Sequence, residues 1–536
     1  MAKGGTASPP GAQRGVPLVG GRGWRGRLGA CGGALEATAE GGWVWRHDRG
    51  CCLPQHHVRI SPSEFVGAKP VGGPGGTKVQ LWWCPLGFGK KMQRTLVKRT
   101  IKFDAGTDIP QLLRALQPRK EAGGGRVAVV LNPSSGTRKG LRVWNKLARP
   151  FFEAAGTEVE FHATTEAGHA TRIAADLDPR GLRCVAVFGG DGTVHEVLQG
   201  ILGRSDWAQT SKIPLAQVPV GSGNALAASC GFFNPVTALW GVLEGAPRPI
   251  DVASIIQPPH RRFSFLSTYI GLLSNLDVGT DDLRWMGDIR FTYGAVSELT
   301  KGTRHSAKVA FVPHRPTPAA AEGEGDGNGA KDGAKEGSAS SSPRRGRKRK
   351  SRCLTSVCEG QHEIACPILD QLDVPTYLPA EPGRWTGGGG GGATANLPAG
   401  QGWEVLSQEE FQLLAAINLP KIAANGGAVT PNQTADSGSY TLIYNKKASF
   451  PQQVGIMLGL DEGTHLKSKF IETRDIQALI LDPVATNSEV VVDGEVVHKA
   501  PLYLEVHPSL CRVLANPTPR PALLFDPSEP VLPKIC

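Results

Sequence analysis

Between residues 126 and 230 short apolar runs alternate with stretches whose apolar positions recur every three or four residues. Arg126–Leu131, Glu158–Ala163, Val185–Phe188 and Leu215–Val220 read as strands. The spacing of Val194, Val197, Leu198 and Ile201 predicts a helix that begins at a glycine turn. Leu141–Ala155, Ala170–Leu177 and Ala225–Ser229 are helical in character, and Pro150 is expected to kink or split the first of them. Strands alternating with helices imply a parallel sheet covered by helices, and ligands bind at the C-terminal ends of its strands.

The pattern changes after Asp251. Ile250–Ile256, Phe263–Ile270, Lys308–Val312, Tyr440–Tyr444, Ile476–Leu481, Glu489–Val492 and Tyr503–Val506 read as strands with little helix between them. The expected fold class is therefore α/β: an N-terminal parallel-sheet nucleotide-binding domain, then a C-terminal antiparallel β-rich domain of β-sandwich kind. The divisions expected are a disordered Gly/Pro/Arg-rich stretch at 1–75, a short β extension at 76–120 and a catalytic domain at 121–250. The β-rich domain follows in two parts, 251–313 and 403–520, around a flexible insertion at 314–402, with a tail at 521–536.

Composition adds limits to this outline. A net charge of +11 over 536 residues favours anionic partners such as a nucleotide or an acidic membrane surface. Part of that excess is the run Arg344–Arg352, which reads as a nuclear address, an anionic-lipid patch or simply a solvated tract. Eleven scattered cysteines form no disulfide framework and suit a reducing, cytoplasmic setting. No apolar run reaches the roughly 20 residues of a membrane span. The acid-poor, Arg-containing first 30 residues are compatible with an organelle address, though they lack a secretory apolar region. Gly21–Gly26 matches a dinucleotide fingerprint by letter only, because no strand–helix context surrounds it.

Chemistry concentrates at three glycine-containing turns, each after a predicted strand: Asn132–Gly136, Gly189–Thr193 and Gly221–Asn224. Side-chain-free turns let main-chain N–H groups approach a phosphate, and a helix N-terminus adds positive partial charge. One such turn alone is most simply a turn; three at the strand ends of one sheet form a phosphate cradle. Asp191 is the only acid in its loop, and repulsion from phosphate must be offset by a task such as taking a proton from an attacking hydroxyl. The chain has no G-x-x-x-x-G-K-[ST] sequence, so this is not a common P-loop.

Asn132-Pro-Ser-Ser-Gly136, Gly189-Gly-Asp-Gly-Thr193 with Glu196, and Pro219-Val-Gly-Ser-Gly-Asn-Ala-Leu-Ala227 resemble the diacylglycerol-kinase-type lipid kinases. Within that group the chain is most similar to the sphingosine kinases, through Asp277, Arg284, Arg290-Phe-Thr292, Val492-Asp-Gly-Glu495 and Val506-His-Pro508. The resemblance covers roughly 95–313 and 403–515. It implies ATP and Mg²⁺ as cofactors and a sphingoid lipid as substrate, at a peripheral membrane contact and without nucleic acid.

The resemblance also assigns roles. Asp191 would be the general base. Asn132, Pro133, Ser134, Gly136, Thr164, Thr165, Gly190, Gly192, Thr193, Glu196, Gly221, Ser222 and Gly223 would line the ATP site. Arg284 and Arg290 would reach its phosphates, and Asp493, Gly494 and Glu495 would close the nucleotide and Mg²⁺ region. Asp277, Ser267 and Gly189 would meet the lipid, with Asp277 pairing the ammonium that sphingosine carries and ceramide or diacylglycerol lacks.

Other features carry less. The segment 164–170 lacks a basic residue that some relatives have. His195 reads as a packing or supporting residue rather than a base, and Phe411–Ala423 as core rather than an acyl-chain site. Cys353, Cys358, His362 and Cys366 have no common zinc spacing, so no metal site is assigned to protein ligands. The rival activities are a ceramide or diacylglycerol kinase of the same fold, an NAD kinase, and an inactive binding protein. The third turn continues into Ala225 without the Asn-Glu of NAD kinases.

Overall fold

The structure, a computed structural model, describes residues 23–116, 125–279, 304–315, 364–372 and 402–517, with short interruptions inside the first, second and last of these. Strands Val159–Ala163, Arg126–Leu131, Leu182–Gly189 and Leu215–Pro219 pair side by side in parallel. Val127–Leu131 and Val185–Phe188 are buried throughout, as continuous apolar runs in a helix-covered sheet must be. Pro150 does not split its helix. The chain runs from Gly140–Val143 through a π-helical stretch, Trp144–Ala148, into Arg149–Ala155. The wider turn lets Arg149 N–H reach Trp144 O, so the proline's missing donor falls where the ladder has already been reset.

The second half is built onto the same sheet. Strand Leu502–Ala515 is hydrogen-bonded in parallel to the first sheet at Leu215↔Val513 and runs antiparallel to Ala246–Gln257 along most of its length. From there the pairing continues antiparallel through Ile471–Ala485, Tyr440–Asn445, Leu413–Ile417, Ser267–Gly271, Val490–Val492 and Glu495–Val497. His305–Pro313 also pairs with Ile471–Ala485. The parallel sheet and the β-rich half therefore share one continuous hydrogen-bonded path, so the described pairings are mixed α/β. Leu413–Ile417 within Phe411–Ala423 is a fully buried strand, as expected of core.

Three expectations are corrected. Phe263–Ile270 is not one strand: His260–Ser264 and Ser267–Gly271 are separated at Phe265–Leu266, whose N–H groups turn to the Asp493 carboxylate. Residues 1–75 are not uniformly disordered. Gly23–Leu28, Cys31–Ala37, Trp43–His47, Val58–Ile60 and Phe65–Val71 join Lys78–Trp83 and Val97–Phe103 in a seven-stranded antiparallel sheet. Glycines hide the alternation there, but Leu35, Trp43, Trp45 and Ile60 all fill one core with Leu81, Trp83, Phe103 and the helix residue Leu112. The described part of the Gly21–Gly26 match, Gly23–Gly26, lies in the first of these strands and opens no helix.

Nor is 314–402 flexible throughout. Cys366, Leu369 and Leu372 are buried against Ile480 and Tyr503, and Glu505 accepts the N–H groups of Ile368 and Leu369. The glycine run Gly387–Gly392, the basic run Arg344–Arg352, Cys353, Cys358 and His362 lie outside the described residues. Cys84, Cys184, Cys230, Cys366 and Cys511 are free and buried, which pushes each thiol up to about 12.

The seven-stranded sheet is fastened to the parallel-sheet half. A Cβ placed on Gly67 would lie 1.9 Å from Ala154 O, so only glycine permits this approach. Arg94 stacks 3.6 Å from the Trp240 ring centre, its N–H donates to Thr237 Oγ1, and Trp240 Nε1–H donates to Ser63 O at 3.0 Å.

Candidate active site

The three glycine turns meet. Asn132 Oδ1 accepts the Ser134 N–H at 2.9 Å, which shapes the first turn. Its Nδ2–H donates to Thr193 Oγ1 at 3.2 Å, tying the first turn to the second. Ser135 Oγ accepts the Gly190 N–H at 2.9 Å. Gly136 has φ +54°, and a Cβ there would meet Val220 O at 2.7 Å. A Cβ on Gly221 would lie 2.4 Å from Gly190 Cα, so the second and third turns touch backbone to backbone. Asn224, with φ +54°, holds the third turn by donating Nδ2–H to Gly221 O at 2.7 Å.

Asp191 begins the twelve-residue helix Asp191–Leu202. Its Oδ2 accepts the Ala225 N–H at 2.9 Å and its Oδ1 the Leu226 N–H at 3.2 Å, both from the start of Ala225–Ser229. Gln217 Nε2–H donates to Oδ1 at 3.4 Å, while Gln217 Oε1 accepts the Ala227 N–H at 2.7 Å. The carboxylate therefore stands between the second and third turns, and a Cβ on Gly223 would lie 2.8 Å from Oδ2. Burial pushes this carboxyl above the ordinary aspartate range and Asp493 adds to the rise, against the opposing hydrogen bonds from Ala225, Leu226 and Gln217. Sequence reasoning missed Ser135 and Gln217. Gln217 occupies an inward strand position where an amide reads as an interruption of core, and that is the only signal it gave.

The other candidates divide. Gly189 is packed against Thr193, where a Cβ would come within 2.5 Å of Thr193 Oγ1. A Cβ on Gly192 would lie 3.0 Å from Glu495 Oε1, so the far hairpin reaches this loop. That hairpin, Val490–Val492 with Glu495–Val497, turns at Asp493 and Gly494, whose φ values are +52° and +88°. Asp493 is buried and occupied: its oxygens accept Ser264 Oγ–H and the N–H groups of Phe265, Leu266 and Ser267. Ser267 is itself buried at the start of its strand. Glu196 Oε2 accepts the Ala170 N–H at 3.1 Å, which turns it toward helix His169–Asp176. Thr164 is buried, its N–H on Leu131 O, and Thr165 N–H donates to His169 Nδ1. Pro133 and Ser222 lie within the first and third turns. Asp277 falls on helix Leu272–Gly279, and Arg284 and Arg290 lie outside the described residues.

A small apolar recess of about 20 Å³, room for one water-sized group, lies at the start of helix Leu272–Gly279. It is lined by Leu272, Leu273, Leu413, Ile456, Met457 and Leu460, with Gln412, Asn445 and Gln453 among them. Among the described residues no cluster of three acid, His or Cys side chains could hold a metal ion, and no helix is long and apolar enough to cross a membrane. The cradle of backbone at three glycines fits phosphate groups.

Comparison with known proteins agrees with this geometry. Residues 126–255 match the diacylglycerol kinase catalytic domain. Sphingoid long chain base kinase 4 of Schizosaccharomyces pombe is 33% identical over 170 residues, 32% of this chain and 37% of that protein. Sphingosine kinase 1 of Arabidopsis thaliana is 30% identical over 195 residues, 35% of this chain and 40% of that protein. Sphingoid long chain base kinase 5 of Saccharomyces cerevisiae is 25% identical over 418 residues, 72% of this chain and 59% of that protein. The matched part thus spans about two fifths of the length of the first two relatives. Residues 126–255 are thus the part of this chain that is similar to the diacylglycerol kinase catalytic domain.

Proposed function

We propose that this chain is an ATP-dependent lipid kinase that transfers the γ-phosphoryl group to the primary hydroxyl of a sphingoid long-chain base. The observation that supports this best is the single carboxylate, Asp191, set where the Gly190 and Gly221 turns touch. Phosphoryl transfer needs positioning, donors toward the phosphate oxygens, and a base beside the nucleophile. The backbone of the three turns and the N-terminus of the Asp191 helix supply the donors. Mg²⁺ bound with the nucleotide would neutralise phosphate charge.

Asp191 accepts the hydroxyl proton as the oxygen–phosphorus bond forms. A carboxyl raised by burial is a stronger base, and the Ala225 and Leu226 N–H groups hold its ionised form in place. Glu495, beside Gly192, borders the same loop. The enzyme would act at the cytoplasmic face of a membrane that holds the lipid.

Transfer from γ-labelled ATP onto sphingosine, phytosphingosine, ceramide and diacylglycerol tests the reading. Labelled long-chain bases, lost in Asp191→Asn, are expected; full activity in Asp191→Asn overturns the base assignment. The name of the matching domain favours one second reading, a kinase of diacylglycerol, with ceramide as the other neutral acceptor. Asp277→Asn separates the two, because it should impair the amine-bearing substrate far more than a neutral one.

A further inference from the structure

The seven-stranded sheet lies outside the matched catalytic domain and takes no part in the proposed chemistry. Its outward face carries an unusual row. Lys78, Lys102 and Arg27 stand directly opposite one another on three adjacent strands, through Lys78↔Lys102 and Arg27↔Lys102. All three are exposed, and none has an acid partner among the described residues. Like charges paired across strands repel at a strand spacing of about 4.8 Å, so the fold gains nothing from this row.

The charge continues along the face. Lys98 lies over Trp82 at 3.9 Å, and Lys69 meets Glu153 at 3.6 Å, where the face turns under the catalytic half. Burial and the neighbouring Lys69 both hold the Lys98 amine below its usual range. Arg46, further round, is already paired with Glu36. The unpaired cations are thus concentrated at the end of the face that the catalytic half leaves open.

We infer that the Lys78–Lys102–Arg27 face is a docking surface for an anionic lipid bilayer. Charge complementarity selects the partner, because the row presents three cations side by side over two strand spacings, about 10 Å, the scale of neighbouring headgroups. The close approach at Gly67 and the Arg94–Trp240 stack make the sheet and the catalytic half move together. Docking therefore fixes how the kinase faces the membrane.

The test uses the full chain and no turnover, so it is independent of the substrate reading. Flotation with phosphatidylcholine vesicles, with and without phosphatidylserine, is compared for wild type and Lys78→Gln/Lys102→Gln/Arg27→Gln. Wild type should bind only the anionic vesicles. The variant should lose roughly a hundredfold in partitioning at low salt, about a factor of five per cation. Its melting temperature should hold or rise, since repulsion is removed, and activity on micelle-dispersed lipid should be unchanged. Equal vesicle binding by the variant, or binding to RNA but not to vesicles, overturns the proposal. A fall in melting temperature would assign the row a structural role and overturn it as well.

Discussion

His195 Nδ1 lies 3.0 Å from Asp493 Oδ2, a contact between residues 298 positions apart. It joins the helix that starts with Asp191 to the hairpin that brings Glu495 beside Gly192. Both partners are buried, so the contact positions the two elements instead of meeting a ligand.

Asp493→Ala would leave the Ser264 hydroxyl and the N–H groups of Phe265, Leu266 and Ser267 without their acceptor. Each unpaired buried donor costs about 1–3 kcal/mol, so urea unfolding should show a loss of at least about 3 kcal/mol. If unfolding is unchanged and only the Mg²⁺ dependence of activity shifts, Asp493 serves the nucleotide and not the fold.

Asp191→Asn should fold and bind nucleotide while kcat falls about 10²–10⁴-fold, the range for removing a general base. Gln217→Leu acts one step away. It removes the side-chain donor to Asp191 and the acceptor of the Ala227 N–H, so kcat should fall, KM for ATP should hold, and the acid limb of the pH profile should move. An unmoved profile would reduce Gln217 to packing.

Gly221→Ala forces a Cβ to 2.4 Å from Gly190 Cα and 2.6 Å from Gly190 N. The two turns must part, at a cost of about 1–3 kcal/mol. Because both turns form the cradle, nucleotide affinity should drop more than stability does. Titration with ATP alongside a thermal melt separates the two effects.

Those glycine turns were legible in the sequence because each has a short-range cause: an apolar run, a residue without a side chain, then a helical period. Asn132, Asp191 and Gly221 follow that rule and meet as expected. The clamp around Asp493 was not legible, because its donors lie more than 220 residues away in sequence. The assignment of Asp493 to the nucleotide rested on resemblance, which marks where an acid stands and not what its oxygens accept. The amino-terminal sheet escaped for another reason. Gly26, Gly32 and Gly33 interrupt the alternation that Trp24, Leu28 and Leu35 would otherwise show, and Gly26 is required because a Cβ there would lie 2.6 Å from Lys102 O.

Asp482 gives a prediction about pH. It is fully buried, neither oxygen has a hydrogen-bond partner, and burial pushes its carboxyl to about 6, with Lys308 only partly offsetting this. The folded value is raised above the unfolded one, so the unfolded chain gives up its proton first as pH climbs. This group's contribution is then favourable at low pH and lost between about 4 and 6. Asp482→Asn should raise stability above pH 6 by up to about 3 kcal/mol and flatten the slope below it. Melting curves across that range, showing no gain for the variant, would mean that Asp482 is ionised and compensated.

Strand Leu502–Ala515 touches the first sheet at Leu215, runs along Ala246–Gln257 and pairs with Ile471–Ala485. A nascent chain that has not yet delivered these residues leaves one border of the parallel sheet bare and the β-rich half without its centre. Maturation on the ribosome is therefore late and concerted. A stop codon near position 500 should give a product cleared by proteases, not a shorter enzyme.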